Sequence, residues 1–340
     1  MLDRLERPRI PASKKAPPTA RKNTSKNARG STGHKPASES RWRRLRRDRL
    51  LFFCALPGIA ILLLFQYVPL LGNVIAFQDY QPFIGIKNSE WVGFRNFEVI
   101  FNGDPQFINA LQNTLILLFL QVVLVFPAPI VLALALNTLS SERTKRLVQS
   151  ILYMPHFLSW VIVVAIFQQF LGDVGVLNSA LRDAGADSIS VIGNVDWFKA
   201  LLTSQVMWKD TGWATILFLA ALSQIPPSLY EAASVDGANK WRQMWHVTLP
   251  GLRGIIILLL ILRLGDAVTV GFEQIILQQG PVGRDVSEVL DTYVYNNGIV
   301  GGEWGVSAAV GLVKGLVGVA LVLGANKVAH LFGERGIYKS

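Results

Sequence analysis

Glu231-Ala-Ala-Ser-Val-Asp-Gly-Ala-Asn-Lys-Trp-Arg-Gln-Met-Trp-His-Val-Thr-Leu-Pro250 is a polar, charged insert between two long apolar runs. That placement predicts a helix-turn-helix loop on a membrane protein, presented to something outside the bilayer. The runs on either side set the fold. Residues 50–76, 115–136, 148–171, 200–222, 254–270 and 306–328 each approach or exceed the roughly 20 apolar residues that a helix needs to cross a bilayer core. Three of the six carry charge: the fourth has Lys209 and Asp210, the fifth Arg263 and Asp266, the sixth Lys314. The expectation is an all-α integral membrane protein with six transmembrane helices.

Composition agrees. Of 340 residues, 51% are hydrophobic and 16% charged, too little charge to cover a soluble protein of this size. The net charge of +10 is concentrated, with 16 of the 33 Lys and Arg in residues 1–49. Arg41, Arg43, Arg44, Arg46, Arg47 and Arg49 directly abut the first span. The positive-inside rule explains this cluster without invoking nucleic acid. Both termini are therefore placed in the cytoplasm. The segments 137–147 (Arg143, Lys145, Arg146) and 223–253 (Lys240, Arg242, Arg253) join them there. The outer segments carry fewer basic residues over greater length: Lys87 and Arg95, Arg182 and Lys199, then Arg284. The inverted topology would export the basic tail and the Arg143 loop, so it is rejected.

Residues 1–48 read as a basic, disordered cytoplasmic tail, rich in Lys, Arg, Pro, Ser and Asn and poor in large apolar residues. Either it is a solvated tail that assists topology, or it touches membrane lipid headgroups. The membrane-spanning domain then covers 49–340. The first span starts too far from residue 1 and is too long for a cleavable signal. Cys54 is the single cysteine, which excludes an internal disulfide and a cysteine metal site. Between the first two spans, Tyr80, Phe83, Trp91, Phe94, Phe97 and Phe101 fit interface anchors or a small outer cap.

Within the loop 224–250, Pro226-Pro227-Ser228 ends the preceding span. Ser228 is expected to cap a short helix, with Glu231 placed as in a capping box. Gly237 suits a sharp turn of positive φ, residues 240–247 make a second short helix, and Pro250 suits the first turn of the next span. Exposed Ala, Val, Trp and Met among the charges mark either a partner-docking surface or an amphipathic loop resting on the membrane.

The same loop carries a resemblance. Glu231, Ala232, Ala233, Gly237, Val247, Leu249 and Pro250 fall at the spacing of the EAA motif of ABC importer permeases of the binding-protein-dependent sugar class; Val247 stands where isoleucine is commoner. Trp91-Val-Gly-Phe-Arg-Asn-Phe97 resembles the outer segment of those permeases. Tyr153-Met-Pro-His-Phe-Leu-Ser-Trp160, Trp208-Lys-Asp-Thr-Gly212 and Ser287-Glu-Val-Leu-Asp-Thr-Tyr-Val-Tyr295 resemble the oligosaccharide permease subfamily that includes the lipoprotein- and alginate-system permeases. The resemblance covers about residues 50–338.

It implies a type I ABC importer transmembrane domain that translocates an oligosaccharide and is not itself an enzyme. The implied partners are a second permease subunit in a heterodimer, two copies of a cytoplasmic ATPase, and an extracytoplasmic solute-binding lipoprotein. On this resemblance Glu231 makes polar contacts with the ATPase, Ala232 and Ala233 allow close approach, and Gly237 sets the bend, with Asp236 part of the same loop. The chain has no G-x-x-x-x-G-K-[ST] phosphate loop. ATP and Mg are therefore expected on the partner ATPase, with no cofactor on this chain.

Charges inside spans cost about 2.5–3.5 kcal/mol on insertion scales and face a cavity or a partner. Arg263 and Asp266, three apart, share a helix face and can pair. An aromatic ring beside polar groups suits a sugar, whose apolar face packs on the ring. Trp208, Lys209, Trp213, Arg263, Asp266 and Glu273 are the candidate substrate-pathway residues; the competing reading is that these ions tie helices together. Gly305, Gly311, Gly315, Gly318 and Gly324 predict close helix packing, within the chain or against a second permease. Pro127 and Pro129 predict a kink in the second span. An ion-coupled secondary transporter or channel is the alternative function, but it leaves the loop unexplained and predicts an inverted repeat that is not visible. His34, His156, His246 and His330 are scattered without metal-ligand spacing, which ranks a membrane enzyme last.

Overall fold

The structure is a computed structural model and describes residues 49–139, 141–266, 268–331, 333 and 336. The tail read over 1–48, including Arg41 to Arg47, lies outside these residues, as do Arg335 and Lys339. The chain divides into two units, Met1–Leu62 and Leu63–Ser340. In the first, the described element is helix α1 (Arg49–Leu62). Among the described residues, five helices are long and apolar enough to cross a membrane, or six if one bent pair counts as a single span.

In the second unit, a two-stranded hairpin pairs β1 (Gln78–Asp79) with β2 (Glu90–Trp91), antiparallel, with Gln78 opposite Trp91. Around it the aromatic segment folds into a cap. Phe77 stacks on Trp91 at 5.7 Å and meets Phe94 edge-on at 5.5 Å. Asn96 fastens the cap by donating to the carbonyls of Ala76 and Gln78. Phe83, Phe94 and Phe101 remain exposed.

The second span begins at Pro105, ten residues before the expected start at Leu115, and runs unbroken to Asn137. Asp104 caps it, accepting from the Phe107 N–H at 2.8 Å. Gln106, Asn109 and Asn113 hide this start from a hydropathy reading, yet Asn113 is buried and donates to the Glu288 carbonyl at 3.0 Å. A polar side chain satisfied inside the protein costs little in a membrane helix. The expected kink is absorbed by a widened π turn, Gln121–Val125, between α2 (Pro105–Leu120) and α3 (Pro127–Asn137). The turn hydrogen-bonds five residues back, from Phe126 N–H to Gln121 O, and so accommodates a proline ring that would crowd a regular turn.

The third span differs from its reading over 148–171. The amphipathic helix α4 (Glu142–Tyr153), capped by Ser141, ends at a tight turn, Met154–Phe157. A new helix, α5 (Trp160–Leu171), starts behind the Ser159 cap and is followed by α6 (Val176–Asp183). Pro155 lacks an N–H to continue α4, so the apolar run 148–171 is two helices with an elbow between them.

Helix α7 (Phe198–Leu222) has a buried face of Phe198, Leu201, Gln205, Lys209, Gly212, Thr215, Phe218 and Leu222. The three- and four-residue spacing follows the helical period. A cluster of Ala133, Phe218, Leu222, Ile225 and Leu252 joins its end to α3 and to the fifth span. The chain then turns through 71° into α8 (Pro227–Val235). After α9 (Lys240–Gln243) and a second π turn, Met244–Thr248, it enters α10 (Leu249–Gly265). Again the π turn stands just before a proline, Pro250. The fifth span thus starts earlier than expected and stops at Gly265 instead of residue 270.

Short helical turns over 272–294 pack on α2 and α7 through Leu117, Phe198, Leu202, Ile275 and Val289. The last span is α11 (Trp304–Leu331), close to its expected limits. The glycine expectation holds in part. Side-chain atoms added at Gly305 would overlap Asn96, and at Gly318 would reach the Gly265 carbonyl at 3.4 Å, whereas Gly311, Gly315 and Gly324 face nothing within 4 Å.

Candidate functional site

Two features of this fold carry the candidate side chains: the bent hairpin 224–250 and a cavity among α3, α7 and α10.

In the hairpin, Ser228 does not cap α8. Pro226 occupies that position, and Pro227 starts the helix where its missing N–H is harmless. The expected capping box is therefore absent. Gly237 does adopt positive φ, +76°. Asn239 caps α9, its side-chain oxygen accepting from Arg242 N–H at 2.9 Å. Side chains then close the hairpin. Gln243 donates to Ser234 Oγ at 2.9 Å and to the Ala238 carbonyl at 3.1 Å, and Tyr230 and Thr248 share a hydrogen bond of 3.1 Å.

The seven motif positions sort into two groups. Val247 packs on the core cluster at the base of α7 and α10, and Leu249 is half-buried beside it. Glu231, Ala232 and Gly237 are exposed, Ala233 is half-buried, and Pro250 is exposed at the start of α10; Asp236, beside the motif, is exposed as well. Flanking the exposed group are apolar side chains that a soluble surface would seldom show together: Val235 is 88% exposed, Trp241 65% and Trp245 53%. The hairpin is thus a braced platform with an apolar outer edge and exposed charges of both signs, Glu231 and Asp236 with Lys240 and Arg242.

The six candidate pathway residues do not form one site. Trp213, Arg263 and Asp266 line one cavity of about 420 Å³, together with Asp210, Val125, Phe126 and Leu262. Arg263 donates to Gln121, on the π turn of the second span, instead of to Asp266. Asp266 lies just past the end of α10 and, like Asp210, acts on Arg263 electrostatically. Trp208 lies outside this cavity, edge-on to Phe167 at 5.8 Å. Glu273 is exposed on a short helix elsewhere. Lys209 is buried and bonded to two backbone carbonyls, the helix-tying role that competed with a substrate contact.

Three residues outside the candidate list bear on the site: Asp210 lines the cavity, and His156 and Gln121 contact its lining residues. His156 lies parallel to Trp213, with centroids 4.8 Å apart and 4° between planes. Its Nδ1 is 3.0 Å from Asp210 Oδ1. Gln121 orients Arg263. Asp210 was visible as an intramembrane charge, and His156 sat in a recognised motif. Nothing in the sequence joined them, because 54 residues separate the pair.

The cavity therefore offers the Trp213 ring, two carboxylates and one guanidinium. Such a set can stack on an apolar ring face while meeting hydroxyls at its edge.

The family described as binding-protein-dependent transport system inner membrane component matches residues 125–332. The polygalacturonan/rhamnogalacturonan transport system permease protein YteP of Bacillus subtilis (strain 168) is 46% identical over 296 residues, covering 87% of this chain and 92% of that protein. Protein LplB of the same organism is 45% identical over 295 residues, with 86% and 92% covered. A chain in the crystal structure of a bacterial alginate ABC transporter, solved with alginate pentasaccharide-bound periplasmic protein, superposes with a TM-score of 0.80 at 37% identity. It covers 88% of this chain and 100% of that one. Family match, identity and fold agree: this chain belongs to the binding-protein-dependent transport system inner membrane components and is a multi-pass membrane transport permease.

Proposed function

We propose that the chain is the membrane-spanning subunit of an ATP-driven importer of oligosaccharides. The observation that carries this reading is the braced hairpin with its exposed edge of Glu231, Ala232, Val235, Trp241 and Trp245. In the topology favoured by the charge distribution this edge faces the cytoplasm, where an ATPase binding ATP and Mg docks on α8. Two ATPase copies closing on one another would move α8. The Tyr230–Thr248 contact and the shared core at Leu252 would pass that movement to α7 and α10 as a rigid-body tilt. This chain binds no cofactor in the scheme. A second, different permease subunit completes the pathway, a solute-binding lipoprotein delivers cargo from outside, and membrane lipid surrounds the spans.

The relatives' names support a carbohydrate cargo, as does the Trp213 ring beside Asp210 and Arg263. The test is uptake of a labelled oligogalacturonide mixture into proteoliposomes holding the whole importer. Uptake is expected only with ATP on the ATPase side. Uptake driven by an ion gradient without ATP would establish the secondary-transporter alternative instead.

A further inference from the structure

Lys209 sits midway along α7 and is 8% exposed, inside a membrane helix. Its partners are carbonyls: Nζ donates to His156 O at 2.7 Å and to Leu158 O at 2.5 Å. The ammonium also lies 5.5 Å from the Trp160 ring centroid, within cation–π range. These carbonyls belong to the elbow between α4 and α5, where Pro155 and the Ser159 cap interrupt the helical ladder. Carbonyl groups freed at a helix end carry partial negative charge, which a cation satisfies. A buried cation is strongly unfavourable without such partners. The close approach extends along α7, because a side-chain carbon on Gly212 would overlap the Leu152 carbonyl.

The elbow does more than join two helices. Its His156 ring is the one stacked on Trp213, and Phe157 meets Trp213 edge-on at 6.0 Å. His156 Nδ1 is also the group facing Asp210. The residues of two separate motifs, 153–160 and 208–212, therefore interlock around one cation, and the aromatic wall of the cavity is fixed by the same contacts.

We propose that Lys209 is a positioning residue for transport: by clamping the His156 and Leu158 carbonyls, it holds His156 against Trp213 and sets the plane that the cavity presents to cargo. The proposal rests on the reading of that cavity as the substrate pathway. It assigns Lys209 no contact with cargo.

The test uses the intact importer labelled with 5-fluorotryptophan, with the Trp213 ¹⁹F resonance assigned by its loss in Trp213→Phe. Lys209→Met and His156→Gln are each expected to move that resonance and leave those of Trp91 and Trp304 in place, with Lys209→Arg closer to the parent. Uptake of the oligogalacturonide mixture should fall about tenfold in Lys209→Met, His156→Gln and Trp213→Phe. Combining either of the first two with Trp213→Phe should add little, because all three act through one surface. An unmoved Trp213 resonance in Lys209→Met, or losses that multiply in the double variants, would overturn the proposal. Should Lys209→Met fail to assemble, Lys209→Arg and the His156→Gln pairing with Trp213→Phe decide by the same criteria. If the parent importer takes up none of the probe, the cargo reading fails, and the ¹⁹F result still decides whether Lys209 positions the ring.

Discussion

Tyr230 and Thr248 share a hydrogen bond of 3.1 Å across the bent hairpin, joining α8 to the turn that leads into α10. The contact is half-buried at Tyr230 and buried at Thr248. Removing one such bond costs on the order of 1 kcal/mol, enough to loosen the hairpin without unfolding the spans. Tyr230→Phe is therefore expected to leave the protein assembled while lowering the sugar moved per ATP hydrolysed. Thr248→Val should behave alike, and the double variant should be no worse than either. Parallel assays of uptake and ATP hydrolysis in proteoliposomes check this.

Gly237 holds φ at +76°, and a side-chain carbon placed there would meet no neighbour within 4 Å. The penalty of substitution there is conformational, not steric. Gly237→Ala should cost about 1–2 kcal/mol of local hairpin stability, and Gly237→Asn less, since Asn tolerates this conformation. The order expected for ATPase retained on purification is Gly, then Asn, then Ala.

Gly212 and Gly311 make the opposite pair. A Cβ at Gly212 would overlap the Leu152 carbonyl, while one at Gly311 meets nothing within 4 Å. Gly212→Ala should reduce the yield of monodisperse protein severely, and Gly311→Ala should leave it unchanged. Membrane yield followed by size-exclusion chromatography measures both.

These contrasts show what was legible in the sequence. The hairpin turn at Gly237 and the limits of the last span were readable because a positive-φ glycine and an uninterrupted apolar run are local signals. The start at Pro105 was not, since Gln106 and Asn113 look like loop residues until the segment carrying Glu288 is folded against them. Nor was the elbow at Pro155, which sits inside an apolar run. The capping expectation at Ser228 failed because two prolines upstream fixed the helix start two residues earlier. For the cavity, Trp213, Arg263 and Asp266 were found as charges or rings out of place in a span, while His156 and Gln121 gain their roles only through contacts across 54 and 142 residues.

Within the cavity, Trp213→Ala should reduce uptake tenfold or more with the ATPase still bound, and Arg263→Met should do the same. Trp208→Ala and Glu273→Gln lie outside the cavity and should retain most uptake. Comparing initial uptake rates at matched protein content separates the two groups.

The central claim is that the exposed edge of α8 is where the motor docks. The most direct measurement is disulfide cross-linking of Ala232→Cys, in a Cys54→Ser background, to single cysteines placed along the surface groove of the partner ATPase. The account predicts a cross-link from position 232 that changes yield when ATP is bound, and none from Lys87→Cys in an outer segment. An assembled, transporting complex that forms no cross-link from position 232 to any part of the groove, or one that cross-links equally from position 87, would contradict it.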